Sequence, residues 1–218
     1  MEFSNDIGKL QRLMAASSAG IARRKAIMDN LVIKADDKII DIGCGGGYLL
    51  EILAKSIGTK GRIYGLDPSE EQISQARLRC EEIENISLLH SSADQIDLED
   101  NTCDVVTSTQ TLEYIPDVDA ALSESTRVLK VNGELVNISI LWDHFRFYGA
   151  EKKLNEEIHE SFKAHCSHQM LPMELPGKLK KLGFKMIPIR IYFQLIHEIT
   201  ISSCSFTRNN RNSLGNKS

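Results

Sequence analysis

A glycine-rich turn at residues 41–47, with the sequence Asp-Ile-Gly-Cys-Gly-Gly-Gly, is the strongest ligand-binding signal in this 218-residue chain. It joins an apolar segment predicted to be a strand, Lys38–Ile42, to a segment with leucines at helical spacing, residues 48–56. The turn would bring a ligand to the N-terminus of that helix, whose free N–H groups favour an anion. Three glycines allow the tight turn and a close backbone approach: Gly43, Gly45 and Gly47.

An acidic residue follows where nucleotide-binding sheets use one. Asp67 comes directly after a second predicted strand, Arg62–Leu66, and lies about 20 residues beyond Gly47. A carboxylate at this point accepts two hydrogen bonds from ribose hydroxyls. The dinucleotide motif G-x-G-x-x-G would need glycine at position 48 or 50, where Tyr48 and Leu50 stand, so the spacing argues against a pyrophosphate.

Polar residues also follow the next two predicted strands. Asp94 and Gln95 come after a third strand near Ile86–Leu89, and a carboxylate there could accept a hydrogen bond from an adenine amino group. Thr109 follows a fourth strand, Asp104–Ser108. Ligands of open parallel sheets bind in the crevice outside the carboxyl ends of the strands, which is where these side chains are expected.

The alternation of apolar strands and amphipathic helices predicts a parallel, doubly wound α/β sheet. One helix begins after Ser69 as N-cap, with Gln72 in the capping-box position. The remaining predicted elements are a helix over Val118–Leu129 stopped by Asn132-Gly133, a strand over Leu135–Ile140, helices over 150–165 and Pro172–Leu182, and a hairpin of strands over Met186–Ile196 and Glu198–Phe206.

The length suits one domain, which we expect over residues 1–206. Residues 1–30 are expected to form a helical cap, with Gly20 dividing it into two helices. Residues 142–176 form a less patterned cap segment, and residues 207–218 are expected to be a disordered tail. The net charge is −4, although residues 177–218 carry eight Lys or Arg against Glu198 alone, which we interpret as a solvated surface and tail.

The cysteines indicate neither a disulfide framework nor a metal site. They are odd in number, widely spaced and without a C-x-x-C pair, and His165 and His168 lack further ligands nearby. Reduced thiols, the absence of a long apolar run and the absence of a secretory signal favour a cytoplasmic protein without a transmembrane segment. The five are Cys44, Cys80, Cys103, Cys166 and Cys204.

The whole series resembles class I S-adenosylmethionine-dependent methyltransferases, and looks most like the small-molecule branch that includes the ubiquinone and menaquinone biosynthesis C-methyltransferases. The likeness covers residues 20–142 and, more weakly, 175–184. The segments that carry it are residues 41–47, Asp67, Leu112-Glu113-Tyr114-Ile115-Pro116-Asp117 and Leu129-Lys130-Val131-Asn132-Gly133. It implies a Rossmann-like, mostly parallel, seven-stranded sheet that ends in an antiparallel hairpin.

The same resemblance implies where S-adenosylmethionine would bind. The family often has histidine where Tyr114 stands and proline-glycine where Val131-Asn132 stand, so a histidine-dependent role does not carry over to Tyr114. The implied cofactor residues are Asp41, Gly43, Gly45 and Gly47 for the methionine and ribose, Asp67 for the ribose, Pro68 and Ser69 flanking the adenine, Asp94 and Gln95 at the adenine edge, and Thr109 near the methionine.

These observations predict a methyltransferase (EC 2.1.1) that moves a methyl group in line onto carbon or oxygen of a small, apolar or planar acceptor. Two alternatives stay open: a binding protein that keeps the fold without turnover, and a nicotinamide-dependent oxidoreductase. No N-P-P-[YF] tetrapeptide follows the fourth strand, so we expect no nucleic-acid acceptor. Glu113, Tyr114 and His144 are the nearest candidates for a general base, and none is assigned.

Two further sets of residues have two interpretations each. Arg23 and Arg24 either reach the cofactor carboxylate or lie on a solvated helix face. An aromatic group after the fifth strand either walls a pocket for a planar acceptor or packs the cap helices. That group comprises Trp142, His144, Phe145, Phe147 and Tyr148.

Overall fold

The computed structural model describes residues 5–146, 149, 151–186 and 202–208. Within these residues seven strands form one sheet. The strands are β1 (Lys38–Ile42), β2 (Arg62–Asp67), β3 (Ile86–His90), β4 (Cys103–Thr109), β5 (Leu129–Ser139), β6 (Phe184–Met186) and β7 (Ser202–Arg208).

Helices connect and flank the strands, and two short 3-10 turns follow β4 and β5, at Leu112–Tyr114 and Trp142–His144. The α-helices are α1 (Asn5–Ala16), α2 (Ser18–Asp29), α3 (Tyr48–Ser56), α4 (Glu70–Arg79), α5 (Val118–Val128), α6 (Lys152–Lys163) and α7 (Leu171–Lys181). No helix among the described residues is long and apolar enough to cross a bilayer.

The strand order in the sheet is β3-β2-β1-β4-β5-β7-β6. The first five strands pair in parallel, and β7 pairs antiparallel with both β5 and β6. The predicted seven-stranded, mostly parallel sheet is therefore confirmed. Because the chain order reverses between β1 and β4, a crevice opens outside the carboxyl ends of these central strands.

Each face of the sheet is covered by helices, so the fold has three layers with two apolar cores. On one face, α2, α3 and α4 contribute Ile27, Leu50, Leu53 and Ile73, which pack on Ile39, Ile63 and Val136. On the other face, α5 and α7 contribute Leu122, Leu175 and Leu179, which pack on Ile40, Val106 and Leu135. These two cores hold the carboxyl ends of β1, β2 and β4 in fixed register.

The break in the N-terminal cap lies at Ser17, and the prediction that Gly20 divides the two helices is wrong. Ser17 is the N-cap of α2, and its hydroxyl accepts a hydrogen bond from the N–H of Gly20, 3.3 Å away. Gly20 is buried inside the first turn of α2, where a Cβ would lie 2.2 Å from the carbonyl oxygen of Ala15. Glycine is needed there because α1 turns closely back over α2.

The bounds of β5 also differ from the prediction. The strand begins at Leu129, six positions before the expected Leu135, and an irregularity in its pairing with β4 lies between Cys103 and Val105. Asn132 adopts a φ of +65°, so the predicted stop at Asn132-Gly133 is accommodated as a distortion inside a longer strand.

The C-terminal hairpin is displaced relative to the sequence prediction. β6 begins at Phe184, and β7 runs to Arg208, so Thr207 and Arg208 belong to the sheet and not to a tail. The Arg208 guanidinium donates to the carbonyl oxygen of Thr126 at 2.7 Å, a long-range contact that sequence periodicity does not reveal. The rest of the predicted hairpin and tail, residues 187–201 and 209–218, lies outside the described residues.

The cap helix α6 presents less apolar surface to the protein than its pattern suggested. The helical spacing of Leu154, Ile158 and Phe162 predicts an inward apolar face, yet Leu154 is 48% exposed and Ile158 is half-buried. The side chain of Phe162, the third predicted inward residue, lies outside the described part of the chain. Among the described elements, the main neighbour of α6 is the 3-10 turn Trp142–His144, which is too short to cover a full helix face.

Two glycine substitutions test the packing of the cap. Gly20→Ala should lower the free energy of unfolding by roughly 1–3 kcal/mol, because the new methyl group meets backbone atoms of Ala15. Gly177→Ala, in the exposed interior of α7 where a Cβ meets open space, should raise it by about 0.5–1 kcal/mol through helix propensity. Urea denaturation of both variants measures the difference, and equal effects would contradict the α1–α2 corner.

Candidate functional site

The carboxyl end of β2 holds the glycine-rich turn in place. The carbonyl oxygen of Leu66 accepts hydrogen bonds from the N–H groups of Gly43 and Cys44, at 2.8 and 2.9 Å. The Asp67 carboxylate accepts from the N–H of Gly45 through Oδ2 and from the N–H of Ser69 through Oδ1, both at 2.9 Å. Asp67 therefore links the turn to the start of α4, a role that its predicted contact with ribose did not include.

These bonds narrow the set of amide donors that remain for a ligand. The N–H of Gly47 donates to the carbonyl oxygen of Cys44 at 3.1 Å, so four of the five N–H groups from Gly43 to Gly47 are engaged. Among the described residues, Gly46 and the first turn of α3 supply the remaining donors. The site for an anion lies at that helix end rather than along the whole turn.

Positive φ angles explain why glycine occupies this turn. Gly43, Gly45 and Gly47 have φ angles of +73°, +52° and +80°, which side chains rarely adopt. Gly47 also packs closely against α4, where a Cβ would lie 3.1 Å from Ala76. A Cβ on Gly45 would meet its nearest neighbour, the Gln72 side chain, at 3.9 Å, so the space above Gly45 is free to admit a ligand.

Asp41 lies in β1, beneath the turn, and is fully buried. Thr107 of β4 donates a hydrogen bond from its hydroxyl to Asp41 Oδ1 at 2.8 Å. Burial is the main cause that raises the pKa of Asp41 to about 7, and the nearby Asp67 carboxylate raises it further. Burial likewise raises the pKa of Asp67. Both carboxyls therefore lie at the centre of the crevice in surroundings that favour their neutral forms.

The predicted residues at the ends of the other strands occupy the same edge of the sheet. Thr109 ends β4, and its buried hydroxyl has no hydrogen-bond partner among the described residues. Ser69 is the N-cap of α4, as predicted, and Pro68 is exposed beside it. Asp94 and Gln95 are exposed in the turn after β3, where the Ser92 hydroxyl donates to the Asp94 carboxylate.

Helix α1 covers the glycine-rich turn, which the sequence did not predict. Arg12 forms an ion pair with Glu71 of α4 at 2.7 Å, and Gln72 donates its side-chain N–H to the Gln11 side chain at 2.6 Å. A Cβ on Gly46 would lie 3.8 Å from Cγ of Arg12. The Ser69 hydroxyl accepts from the N–H of Gln72 at 3.4 Å, as the predicted capping box requires, but the Gln72 side chain holds α1 over the site and does not return to Ser69.

Two arginines flank the aromatic ring that begins α3. The guanidinium of Arg79 stacks over the Tyr48 ring at 3.6 Å from its centroid and donates to the carbonyl oxygen of Gly46 at 2.8 Å. The guanidinium of Arg24 lies 5.2 Å from the same centroid and donates to the carbonyl oxygen of Ala15 at 2.7 Å. Both positive charges therefore lie on the glycine-turn side of the crevice.

Glu113 lies on the opposite side, fully buried after β4. Its carboxylate accepts hydrogen bonds from the Ser139 hydroxyl at 2.9 Å and from the N–H of Ile140 at 3.4 Å. Asn137 extends this chain by donating to Ser139 Oγ at 2.9 Å. Burial raises the pKa of Glu113 to about 7, against the opposing effect of these hydrogen bonds. The network joins the ends of β4 and β5.

Aromatic rings line the space above β5. The Trp142 ring lies 6.3 Å from the Tyr114 ring and 5.4 Å from the Phe145 ring, measured between centroids. The cap is tied to the same turn, since the N–H of His168 donates to the carbonyl oxygen of Glu113 at 2.9 Å. Three of the five predicted aromatic-group members are described, and two of them, Trp142 and Phe145, pack together; Phe147 and Tyr148 lie outside the described residues.

The histidines and cysteines of the described residues form no cluster of three potential metal ligands with Asp or Glu. Cys44 is buried inside the turn, and burial raises the pKa of its thiol well above the usual range. His159 of α6 is bound to the Arg146 side chain at 3.0 Å and lies 3.7 Å from Asp143, so it belongs to the cap and not to a solvated surface.

Comparison with known families identifies the class of protein. A family model described as a methyltransferase domain matches residues 33–188, which is more than half of the chain. The chain therefore belongs to this methyltransferase-domain family. The resemblance to class I S-adenosylmethionine-dependent methyltransferases, and within them to the menaquinone branch, is confirmed.

A curated relative supports the menaquinone likeness. The demethylmenaquinone methyltransferase of Staphylococcus aureus is 34% identical over 113 residues, which is 52% of this chain and 47% of that protein. The matched region spans less than half the length of these curated relatives.

Solved structures share the fold across nearly the whole chain. An S-adenosylmethionine-dependent methyltransferase from Aquifex aeolicus has a TM-score of 0.67 at 20% identity, covering 91% of this chain and 96% of that one. A Haloferax volcanii methyltransferase, solved in complex with the Trm112 methyltransferase activator, has a TM-score of 0.72 at 19% identity, covering 93% and 96%.

The buried carboxyls predict how stability depends on pH. Asp41 and Glu113 have a higher pKa in the folded protein than in the unfolded chain, so the folded state binds more protons between about pH 4 and about pH 7. The free energy of unfolding should therefore fall as the pH rises through this range. Asp41→Asn and Glu113→Gln should each flatten part of the slope.

Urea denaturation at several pH values across this range measures the slope. Asp36→Asn, which removes an exposed carboxylate, controls for the loss of one negative charge. If the slopes of Asp41→Asn and Glu113→Gln both equal that of the unmodified protein, the carboxyls are not buried as described.

Proposed function

We propose that this protein is a methyltransferase that uses S-adenosylmethionine as methyl donor and acts on a small organic acceptor. One observation carries the proposal: Asp41, the glycine-rich turn, Asp67 and Thr109 lie together at the carboxyl ends of β1, β2 and β4, where the strand order reverses. That edge is where doubly wound sheets bind nucleotide-like ligands.

The residues present fit the cofactor. The open space above Gly45 and the uncommitted N–H of Gly46 offer room and a donor for the methionine part. Each Asp67 oxygen accepts one hydrogen bond within the protein and keeps a lone pair for a ribose hydroxyl. The unpartnered hydroxyl of Thr109 gains a partner when a polar ligand enters.

We assign the remaining cofactor contacts from position. Pro68 and Ser69 would flank the adenine because they follow Asp67 directly at the end of β2. Asp94 and Gln95 would contact the adenine edge from the turn after β3, the neighbour of β2 in the sheet. Both are exposed, so their contribution to affinity should be smaller than that of the buried Asp67.

The chemistry needs positioning more than a reactive side chain. When bound, S-adenosylmethionine supplies an activated methyl group on its sulfonium sulfur. The protein must hold the acceptor in line with that methyl group and exclude water. Helix α1 closes the glycine-turn side through Arg12 and Gln11, and the ring of Trp142 closes the β5 side.

The three base candidates differ in their surroundings. The Glu113 carboxylate is committed to Ser139 and Ile140, which suits a role in fixing the ends of β4 and β5. His144 is largely exposed, and burial raises the pKa of Tyr114. We therefore propose transfer without a dedicated general base, to an acceptor atom on carbon or oxygen of an apolar or planar molecule.

The two alternatives are weaker. A nicotinamide-dependent oxidoreductase requires room for a pyrophosphate at the turn, but hydrogen bonds to Leu66 and Asp67 already occupy the amides of Gly43, Cys44 and Gly45. A binding protein without turnover would share the cofactor site, including the buried Asp41–Thr107 pair, and would bind S-adenosylmethionine without transferring its methyl group. Binding of S-adenosylmethionine rather than a nicotinamide cofactor distinguishes the proposed methyltransferase from the first alternative. Transfer of a methyl group distinguishes it from the second.

Calorimetric titration of S-adenosylmethionine tests the proposal. The unmodified protein should bind it with micromolar affinity, and Asp67→Asn should weaken binding roughly 10- to 100-fold by removing charged hydrogen bonds to the ribose. Asparagine keeps one side-chain oxygen, so it perturbs the turn less than alanine does.

Asp36→Asn serves as the control, because it removes an exposed carboxylate away from the turn. Circular dichroism shows whether each sample is folded. A folded protein that binds a nicotinamide cofactor in the same cell, and no S-adenosylmethionine, would refute the proposal.

A further inference from the structure

Arg23 of α2 is a largely buried, charged residue with no partner among the residues that the structure describes. Its side chain belongs to a residue that is only 5% exposed, yet it makes no hydrogen bond or ion pair with any residue that the structure describes. Arginine keeps its charge in proteins and carries five N–H donors. Unlike Nε of Arg24, no nitrogen of Arg23 is both fully buried and unpaired, so its guanidinium borders open space within a largely buried residue. A charge in this position, with no counter-ion among the described residues, requires an explanation.

The position of α2 sets the direction of the side chain. Ile27, one turn after Arg23 on the same helix face, packs in the core against Val136 and Ile138 of β5. Helix α2 then leads to the start of β1, so its first half lies at the carboxyl edge of the sheet. Arg23 therefore lies at the level of the crevice, beside β4 and β5.

The charges that act on Arg23 belong to the turn after β4. They are the groups of Tyr114 and Glu113, together with the neighbouring Arg24. Glu113 is not a full counter-ion, since its oxygens accept from Ser139 and Ile140 and burial favours its neutral form. Asp41 and Asp67 are not among the groups that shift the pKa of Arg23.

The neighbouring groups complete a site for a planar molecule with an anionic oxygen. The rings of Tyr114, Trp142 and Phe145 form a continuous aromatic group on this side. A guanidinium on the same side of a crevice as aromatic rings suits a carboxylate or phenolate on a flat ring.

We propose that Arg23 binds an anionic oxygen of the methyl acceptor, so that the acceptor is a planar organic anion, either a carboxylate or an ionised phenol or enol. This inference rests on the proposed methyltransferase function. Arg23 is then a specificity-determining residue that holds the acceptor on the β4–β5 side. Arg24 and Arg79, next to Tyr48, remain on the cofactor side.

The test uses protein saturated with S-adenosylhomocysteine, titrated with two pairs of probes. Benzoate is compared with neutral benzamide, and 4-nitrophenolate with neutral 4-nitroanisole, so the pairs distinguish a carboxylate from a phenolate. The unmodified protein should bind one anion more tightly than its neutral counterpart. Arg23→Met should weaken that anion roughly 10- to 100-fold, and Arg23→Lys should restore part of the affinity.

Two further readouts separate this role from a structural or cofactor role. The affinity of Arg23→Met for S-adenosylhomocysteine should stay within about twofold of the unmodified protein, because the lost contact is with the acceptor. Its midpoint of thermal unfolding should rise by roughly 2–4 °C, because an unpaired buried charge is removed. Lys25→Met, on an exposed position of the same helix, is the control for charge.

Several results would overturn the inference. One is that Arg23→Met leaves anion binding unchanged, and another is that the unmodified protein prefers neither anion to its neutral counterpart. A third is that the unfolding midpoint of Arg23→Met is lower than that of the unmodified protein. A fourth is that Arg23→Met loses affinity for S-adenosylhomocysteine, which would assign Arg23 to the cofactor. If the unmodified, folded protein fails to bind S-adenosylhomocysteine at all, the proposed function itself fails, and that result is distinct from the others.

Discussion

The hydrogen bonds at the carboxyl end of β2 are the constraint on which the candidate site depends. Leu66 and Asp67 together accept four N–H groups, three from the glycine-rich turn and one from the start of α4. The turn cannot change shape without breaking several of these bonds in a buried environment, where each unmade bond is unfavourable. The space above Gly45 is therefore preorganised by the sheet itself.

That constraint also brings two carboxyls close together. Asp67 must lie beside the turn to accept its N–H groups, and Asp41 lies in the neighbouring strand beneath it. Burial and mutual repulsion raise the pKa of Asp41, and the Thr107 hydroxyl offsets only part of this effect. A buried carboxyl with a raised pKa is unfavourable for folding, and the fold alone does not require one at position 41. Such a loss of stability is typical of functional positions.

The features of the site that have a local physical cause can be predicted from the sequence. Glycine conformation and helix capping act within a few residues, so the sequence predicts the turn, Asp67 and the Ser69 cap. The features that depend on a contact between distant segments cannot be predicted in this way. Gln72 binds Gln11 of α1, and Glu113 binds Ser139 of β5, and neither pairing leaves a periodic pattern in the chain. The prediction of a helix break at Gly20 is wrong because this glycine is needed for close packing against Ala15.

Helix geometry explains how one element serves both halves of the crevice. Successive residues of an α-helix point about 100° apart, so neighbouring side chains face different surroundings. In α2, Arg24 faces Tyr48 and the glycine-rich turn, whereas the pKa of Arg23 responds to Tyr114 and Glu113 in the turn after β4. Helix α1 closes the glycine-turn side of the crevice, and α2 carries both arginines. Because α1 folds back over α2 at Gly20, the position of α1 depends on α2. The N-terminal cap thus couples the two sides of the crevice through one close helix–helix corner.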